Sequence, residues 1–317
     1  MTALHQNLDH LPDTARGCAI AIGNFDGMHK GHCALIARTQ ASAKGLDAPL
    51  GVLTFTPHPR RFFQPQAEPF LITKMPMKQR LMSDAGVDHL FALNFARDIA
   101  EMTAEEFIER VLIEKLQTRH VTVGRDFAFG KDRGGTAALL SQYSQHFTLD
   151  AVDRFADNSG AIFSSSLVRG FLRTGDFDAA EKALGWRWQI ENPIVRGDQR
   201  GRLLGFPTAN QEMNGYVRPP FGIYAVKAMI EGENIWRNGV ANIGIRPMYP
   251  SEVPLCETFI FDFSDEIYGK MLRIMPIKKL RAEMRFDGEK ALIVQMKEDC
   301  IQALLVLESR QTSKKAL

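Results

Sequence analysis

The first half of the chain alternates short, unbroken apolar runs with stretches of helical spacing. Cys18–Ile22, Leu50–Phe55, Leu90–Phe95 and His120–Val123 are such runs. Strands that are apolar at every position suit a parallel sheet covered on both faces. Helical spacing fills the intervals, as from Cys33 to Ala43. Thr103-Ala104-Glu105-Glu106 reads as a capping box, with the Thr hydroxyl and the Glu carboxylate each satisfying an orphan backbone N–H. Phe107 and Val111 behind it share one helix face. Asp176 is the expected N-cap of a helix that ends at Gly185. This alternation predicts an open α/β sheet.

The pattern changes after Trp186. From Trp188 to about Ile277 the chain reads as short strands punctuated by Gly197, Gly201, Gly205, Asn214-Gly215, Pro219-Pro220, Asn238-Gly239 and Pro250. Strands so spaced, without long helical intervals, predict a small closed or nearly closed β-barrel. Gly288–Glu308 returns to helical spacing through Leu292, Val294, Met296, Ile301, Leu304 and Leu305. Two domains are therefore expected, 1–186 with the open parallel sheet and 187–317 with the barrel and a C-terminal helix. Either half is long enough to bury its own core.

Charge and cysteines remove several classes of function. With 39 basic and 37 acidic residues, the net charge of +2 leaves no basic footprint for nucleic acid. Cys18, Cys33, Cys256 and Cys300 are scattered, which suggests neither a zinc cluster nor a disulfide framework. The N-terminus lacks a basic-then-apolar signal, and no apolar run nears the ~18–20 residues that span a bilayer. A cytoplasmic protein without a membrane partner is expected, and weak homo-oligomers are compatible with all of this.

The densest chemistry lies in Gly23-Asn24-Phe25-Asp26-Gly27-Met28-His29-Lys30-Gly31-His32, which follows a strand and opens a helix. In open α/β sheets ligands bind outside the carboxyl ends of strands, where helix N-termini favour anions. The glycines let backbone approach a phosphate, and His29 and His32, three apart, can donate to one phosphate group. H-x-x-H spacing would also suit half a metal site, but no carboxylate or cysteine is spaced to complete it. The string is an H-x-G-H nucleotide-binding motif.

H-x-G-H is the signature of the nucleotidyltransferases, and the longer string resembles the N-terminal half of the bacterial bifunctional riboflavin kinase/FAD synthetase family. Thr54-Phe55-Thr56-Pro57-His58-Pro59, Val123-Gly124-Arg125-Asp126-Phe127-Ala128-Phe129-Gly130 and Ser164-Ser165-Ser166-Leu167-Val168-Arg169 extend the likeness. It implies adenylyl transfer from ATP to FMN, giving FAD and pyrophosphate, with Mg²⁺ bridging the ATP phosphates. His29 and His32 then stabilise the transferring phosphate, and Arg169 offers a planar fork to the leaving pyrophosphate. Gly23, Asn24, Phe25, Asp26 and Gly31 form the nucleotide turn, and Asp126 and Ser165 contact the nucleotide by resemblance. His58, between two prolines, is either a nucleotide contact or a turn residue. Ser166 stands where the family usually has Thr, which keeps the hydroxyl.

In the second half, Gly197-Asp198-Gln199-Arg200-Gly201-Arg202-Leu203-Leu204-Gly205-Phe206-Pro207-Thr208-Ala209-Asn210 contains neither a Walker loop nor a protein-kinase signature. By itself it reads as a turn-rich barrel connection without a ligand. Thr208 and Asn210 would point the same way on an extended segment, where both can reach one Mg²⁺. Pro207-Thr208-Ala209-Asn210 resembles the PTAN motif of riboflavin kinases. Gly239-Val240-Ala241-Asn242-Ile243-Gly244 and Asp265-Glu266-Ile267-Tyr268-Gly269 are similar to kinase segments too, so the likeness runs from about residue 17 to 308. It implies ATP-dependent phosphorylation of riboflavin to FMN, with Gly201, Arg202, Gly205 and Phe206 at the nucleotide and Thr208 and Asn210 at Mg²⁺. Glu257 matches the catalytic acidic residue, and strand alternation sets it on one face with Phe259, Phe261 and Phe263. Arg281 and Glu283 resemble a flavin-contacting segment. Met248 stands where the family usually has Thr.

Overall fold

The structure is a computed structural model that describes residues 1–157, 160–197, 201, 204–245 and 253–315, with side chains to Arg310. By its contacts the chain forms two compact units, Met1–Glu68 with Thr73–Ser165, and Pro69–Ile72 with Ser166–Leu317. The expected division at 186/187 therefore lies about twenty residues beyond the one the contacts draw. The reason is packing. The helix Phe177–Leu184 turns Phe177 onto Trp188 and Tyr224 of the second unit, at 6.1 and 5.8 Å between ring centres. Leu71, far back in the chain, pairs with Tyr216 of that unit as well.

The first unit is built on a six-stranded sheet of β1 (Ala3–His5), β2 (Ala19–Ile22), β3 (Leu50–Thr56), β4 (His89–Asn94), β5 (His120–Gly124) and β6 (Thr148–Val152), in the order β1-β4-β3-β2-β5-β6. Every pairing is parallel. Alternate residues of the unbroken runs serve opposite faces. Ile20, Ile22, Leu53, Phe91, Val121 and Val123 join one core with Phe107, Ile108 and Leu112. Ala19, Ala21, Val52 and Leu90 join the other with Ile36, Ala43 and Met82. The order reverses at β2, whose two neighbours β3 and β5 are reached by connections running opposite ways. That is the switch point at which an open α/β sheet leaves a crevice beyond its strand ends.

The capping box forms as expected, with Glu106 N–H donating to Thr103 Oγ1 (3.1 Å) and Thr103 N–H to the Glu106 carboxylate (2.8 Å). Asp176 caps its helix by accepting from Ala179 N–H (2.9 Å), and Gly185 ends it with φ +86°. Helix Lys30–Leu46 begins three residues before the apolar spacing does, because His29 supplies the cap.

The second unit carries six antiparallel strands: β7 (Ile190–Pro193), β8 (Ala209–Glu212), β9 (Gly222–Ile230), β10 (Arg237–Gly244), β11 (Leu255–Ile260) and β12 (Met271–Arg281), in the order β7-β12-β9-β10-β11-β8. The two ends of this order meet. Val195 pairs with Asn210, and the Gln211 amide donates to the carbonyls of Asn192 and Leu272, each at 2.7 Å. The sheet is thus a small barrel. The C-terminal helix, Glu289–Lys315, is longer than its apolar spacing implied and sets Ala303 and Leu307 against Ala225 and Ile277.

Candidate active sites

In the first unit, β2 delivers the chain into the turn Gly23–His29 and the turn delivers it into the helix Lys30–Leu46. His29 is the N-cap: His32 N–H donates to its Nδ1 at 3.3 Å. With Nδ1 accepting, the neutral ring carries its proton on Nε2, where it can be donated to an anion. The rings of His29 and His32 stack at 3.6 Å between centres and 22° between planes. Gly31 follows from this packing, since a Cβ there would sit 3.1 Å from the His29 ring and 3.4 Å from the Phe163 carbonyl.

A buried frame holds the turn. Asp26 Oδ1 accepts from Thr73 N–H (3.0 Å) and from the Thr73 hydroxyl (3.3 Å), and Gly27 N–H donates to Thr73 Oγ1 (3.0 Å). The Ser165 hydroxyl donates to the Asp26 carbonyl (2.8 Å). Phe25 (φ +47°) and Met28 (φ +45°) adopt the left-handed region, with Gly27 (φ +92°) between them. Lys78 lies beneath the turn, donating to the Asn24 carbonyl at 2.7 Å. The sequence offers no sign of this lysine, nor of Thr73.

Beside the turn opens a cavity of about 770 Å³ lined by Asn24, Phe55, Phe62, Phe63, Phe95, Phe107, Phe127 and Phe129, with Lys131 and Arg133 at its rim. Phe127 and Phe129 stack at 5.5 Å, and Phe62 and Phe63 pack edge-on to Phe95 at 5.6 and 5.8 Å. A pocket with aromatic walls and basic residues beside them suits a planar ring that bears phosphate. Of these, Asn24, Phe55, Phe127 and Phe129 belonged to segments that the sequence tied to a nucleotide, Phe95 and Phe107 were read as parts of a strand and a helix, and Phe62 and Phe63 were not singled out.

Three expected residues have other engagements. His58 caps the helix Pro59–Phe63 by accepting from Arg60 N–H (3.1 Å), the turn role that the sequence left open. Asp126 pairs with Arg154, whose guanidinium holds its carboxyl below the usual range. Arg169 belongs to the second unit, where its Nε donates to the Phe70 carbonyl (2.8 Å) and its guanidinium lies over the Phe70 ring.

In the second unit the register aligns the chemistry. Asn210 on β8 faces Glu257 on β11, and Glu257 faces Asn242 on β10. Residues directly opposite in a sheet share a face, so three polar side chains form one row. Glu257 and Asn242 line a cavity of about 380 Å³ with Thr208, Phe206, Phe259, Arg281, Glu283 and residues of the C-terminal helix. Thr208 and Asn210 also line a neighbouring cavity of about 280 Å³, walled by Pro207, Phe263 and Ser264–Tyr268. Thr208 is common to both.

Gly201 is required where it stands, since a Cβ would strike the Phe206 carbonyl. Gly205 is exposed with φ +86°. Phe206 packs edge-on to Phe259 at 5.3 Å. Phe261 keeps to the side of Phe259, with 5.8 Å between ring centres, whereas Phe263, beyond the end of β11 at Ile260 and the turn at Asp262 (φ +53°), lines the smaller cavity. Arg281 lines the larger cavity, but its guanidinium forms a bidentate pair with Asp299 (2.7 and 2.6 Å), which also accepts from Gln295. Arg202 and Met248 lie outside the described residues.

Among the described residues no three His, Cys, Asp or Glu side chains are grouped to hold a metal ion. What is present is a hydroxyl and an amide, Thr208 and Asn210, both lining the smaller cavity. Both side chains offer an oxygen, the donor type that Mg²⁺ takes, and substrate phosphates would complete its coordination.

The FAD synthetase family profile matches residues 11–166 and the riboflavin kinase profile matches residues 184–307. The chain is 36% identical over 286 residues to a bifunctional riboflavin kinase/FMN adenylyltransferase of Haemophilus influenzae, covering 90% of this chain and 92% of that one. It is 34% identical over 298 residues to the Escherichia coli K12 protein of the same name, covering 94% of each. A crystal structure described as a macrolide-efflux protein from Streptococcus pneumoniae is also similar, with a TM-score of 0.77, 28% identity, and coverage of 94% of this chain and 97% of that one. Among the described residues here, no helix is long and apolar enough to cross a membrane.

Proposed function

The chain belongs to the bifunctional riboflavin kinase/FMN adenylyltransferase family, and we propose that each of its two compact units carries one of the two reactions at the site described above. The barrel unit converts riboflavin and ATP to FMN and ADP. The α/β unit converts FMN and a second ATP to FAD and pyrophosphate. The observation that carries this reading is the presence of a complete, separate constellation in each unit. One is a stacked histidine pair at a helix N-terminus; the other is a row of Asn210, Glu257 and Asn242 across three strands.

The two reactions ask different things of the protein. In adenylyl transfer the nucleophile is an FMN phosphate oxygen, already ionised near neutral pH. The site must align it with the α-phosphate and stabilise charge, and no base is needed. The helix N-terminus and the His29 and His32 N–H groups do this, and the aromatic cavity takes the flavin ring. In the kinase the nucleophile is a neutral ribityl hydroxyl, which profits from a base. Glu257 accepts that proton as the hydroxyl oxygen bonds to the γ-phosphorus and ADP leaves.

Thr208, shared by the two barrel cavities, marks the line along which the phosphoryl group passes. The nucleotide lies against Pro207–Asn210 and Ser264–Tyr268, and the flavin lies beside Glu257. Thr208 and Asn210 would hold Mg²⁺, which neutralises phosphate charge when bound. The protein is read as a cytoplasmic enzyme of small-molecule substrates. Incubation of the purified chain with riboflavin, ATP and Mg²⁺ tests the reading. FMN followed by FAD is the expected sequence of products, and absence of FMN would overturn it.

A further inference from the structure

We propose that Lys78 is a positioning residue of the adenylyl-transfer site: its ammonium fixes the Asn24 carbonyl and lays a buried positive charge beneath the turn that receives the phosphates. The inference rests on the reading of the first unit as the FMN adenylyltransferase.

Lys78 sits on the helix Met75–Asp84 and is only 6% exposed. Lysines are almost never buried this far unless the charge has a use or a partner. Its Nζ donates to the Asn24 carbonyl at 2.7 Å and lies 3.5 Å from Thr54 Oγ1, and the Thr54 hydroxyl donates to the same carbonyl at 3.1 Å. Asn24 thus has two donors converging on one oxygen. It is also the residue of the turn that lines the aromatic cavity. The next residue, Phe25, and Met28 beyond it are held at positive φ with their side chains buried. Such residues cost about 1–3 kcal/mol each and persist only where the surroundings over-determine them. Lys78 and the Thr73–Asp26 frame are those surroundings.

The groups packed around the ammonium are Asn24 and the Asp26 carboxylate on the turn and the neutral Thr54 hydroxyl on β3; of these, Asp26 carries charge. Burial lowers the lysine to about 8, with Asp26 opposing the fall. An unfolded chain holds that proton to about 10.4. Between these values the unfolded state binds more protons, so folding becomes more favourable as pH rises. The turn loses its charge over the same window. A fall in adenylyl transfer there cannot be ascribed to Lys78 unfolding the unit, which separates a positioning role from a merely structural one.

The test uses the full-length protein, with both reactions measured on one preparation across pH 6.5–9.5, a range chosen to bracket the lysine (about 8). In the wild type, conversion of supplied FMN to FAD should decline above about pH 8, and phosphorylation of riboflavin should not share that limb. Lys78→Met should slow FAD formation at least about tenfold and flatten its alkaline limb, with the kinase rate unchanged. Lys78→Gln, which keeps an N–H donor but no charge, should also lose the limb. The proposal is overturned if Lys78→Met forms FAD at the wild-type rate, or if the alkaline limb persists in either variant. A wild type that phosphorylates riboflavin but makes no FAD would instead remove the adenylyltransferase reading on which the proposal stands.

Discussion

His29 accepts a hydrogen bond from the backbone of His32 while the two imidazoles stack at 3.6 Å. One side chain thus starts the helix and, in the proposed function, meets the anion. The two roles are separable by substitution. Relative to His29→Ala, His29→Asn should recover the cap, worth about 1 kcal/mol of stability of the first unit. Neither variant should form FAD. Urea unfolding and FAD synthesis measured on both proteins check this, and FAD synthesis by His29→Asn at the wild-type rate would show that the histidine serves only as a cap.

Glu257→Gln keeps the size and the cross-strand position of the side chain but cannot accept the proton. Riboflavin phosphorylation should fall by about 10²–10⁴, with FMN adenylylation unchanged. Steady-state rates of the two reactions decide it; an unchanged kinase rate would mean that another group takes the proton.

Arg281 and Asp299 form a pair with side chains 18% and 7% exposed, tying β12 to the C-terminal helix at the larger barrel cavity. Asp299→Ala leaves a guanidinium buried without its carboxylate, which should cost the second unit roughly 3–5 kcal/mol. The KM for riboflavin should rise as the helix wall loosens. Replacing both residues by leucine should cost less than Asp299→Ala alone, because no charge is then stranded. Denaturant midpoints of the three proteins and a riboflavin titration measure both effects.

Asn242 lines the larger barrel cavity opposite Glu257, and among the described residues its buried Oδ1 has no hydrogen-bond partner. A polar atom kept in that state costs about 1–3 kcal/mol, so Asn242→Ala should leave the second unit no less stable than the wild type. If the amide serves the substrate, the same variant should bind riboflavin more weakly. Thermal unfolding and riboflavin affinity, measured together, give the answer.

The legible parts of this chain were those where one residue type satisfies one local demand. The unbroken apolar runs of β2 and β3 announced a sheet covered on both sides, and Thr103 with Glu106 announced a helix start that the structure closes atom by atom. Strand β1 was invisible because its three residues have no period and exist as a strand only through pairing with β4. The Glu257 face was right for Phe259 and Phe261 and not for Phe263, since a positive φ at Asp262 ends the alternation. Lys78 and Asp299 were illegible for a common reason. A charged residue on a helix reads as solvated surface, and only tertiary packing reveals that one lies under a turn and the other holds an arginine. Asn242 lay inside a segment singled out by resemblance, yet its place in the polar row depends on the register of three strands.

The central claim is that two independent sites act in series, and a paired substitution tests it most directly. Wild type, His29→Ala and Asn210→Ala are each given riboflavin, ATP and Mg²⁺, and separately FMN, ATP and Mg²⁺, with FMN and FAD followed by chromatography. His29→Ala should accumulate FMN and make no FAD. Asn210→Ala should leave riboflavin unconverted yet turn supplied FMN into FAD at the wild-type rate. If either substitution abolished both reactions in a protein that remains folded, the two-site account would be contradicted.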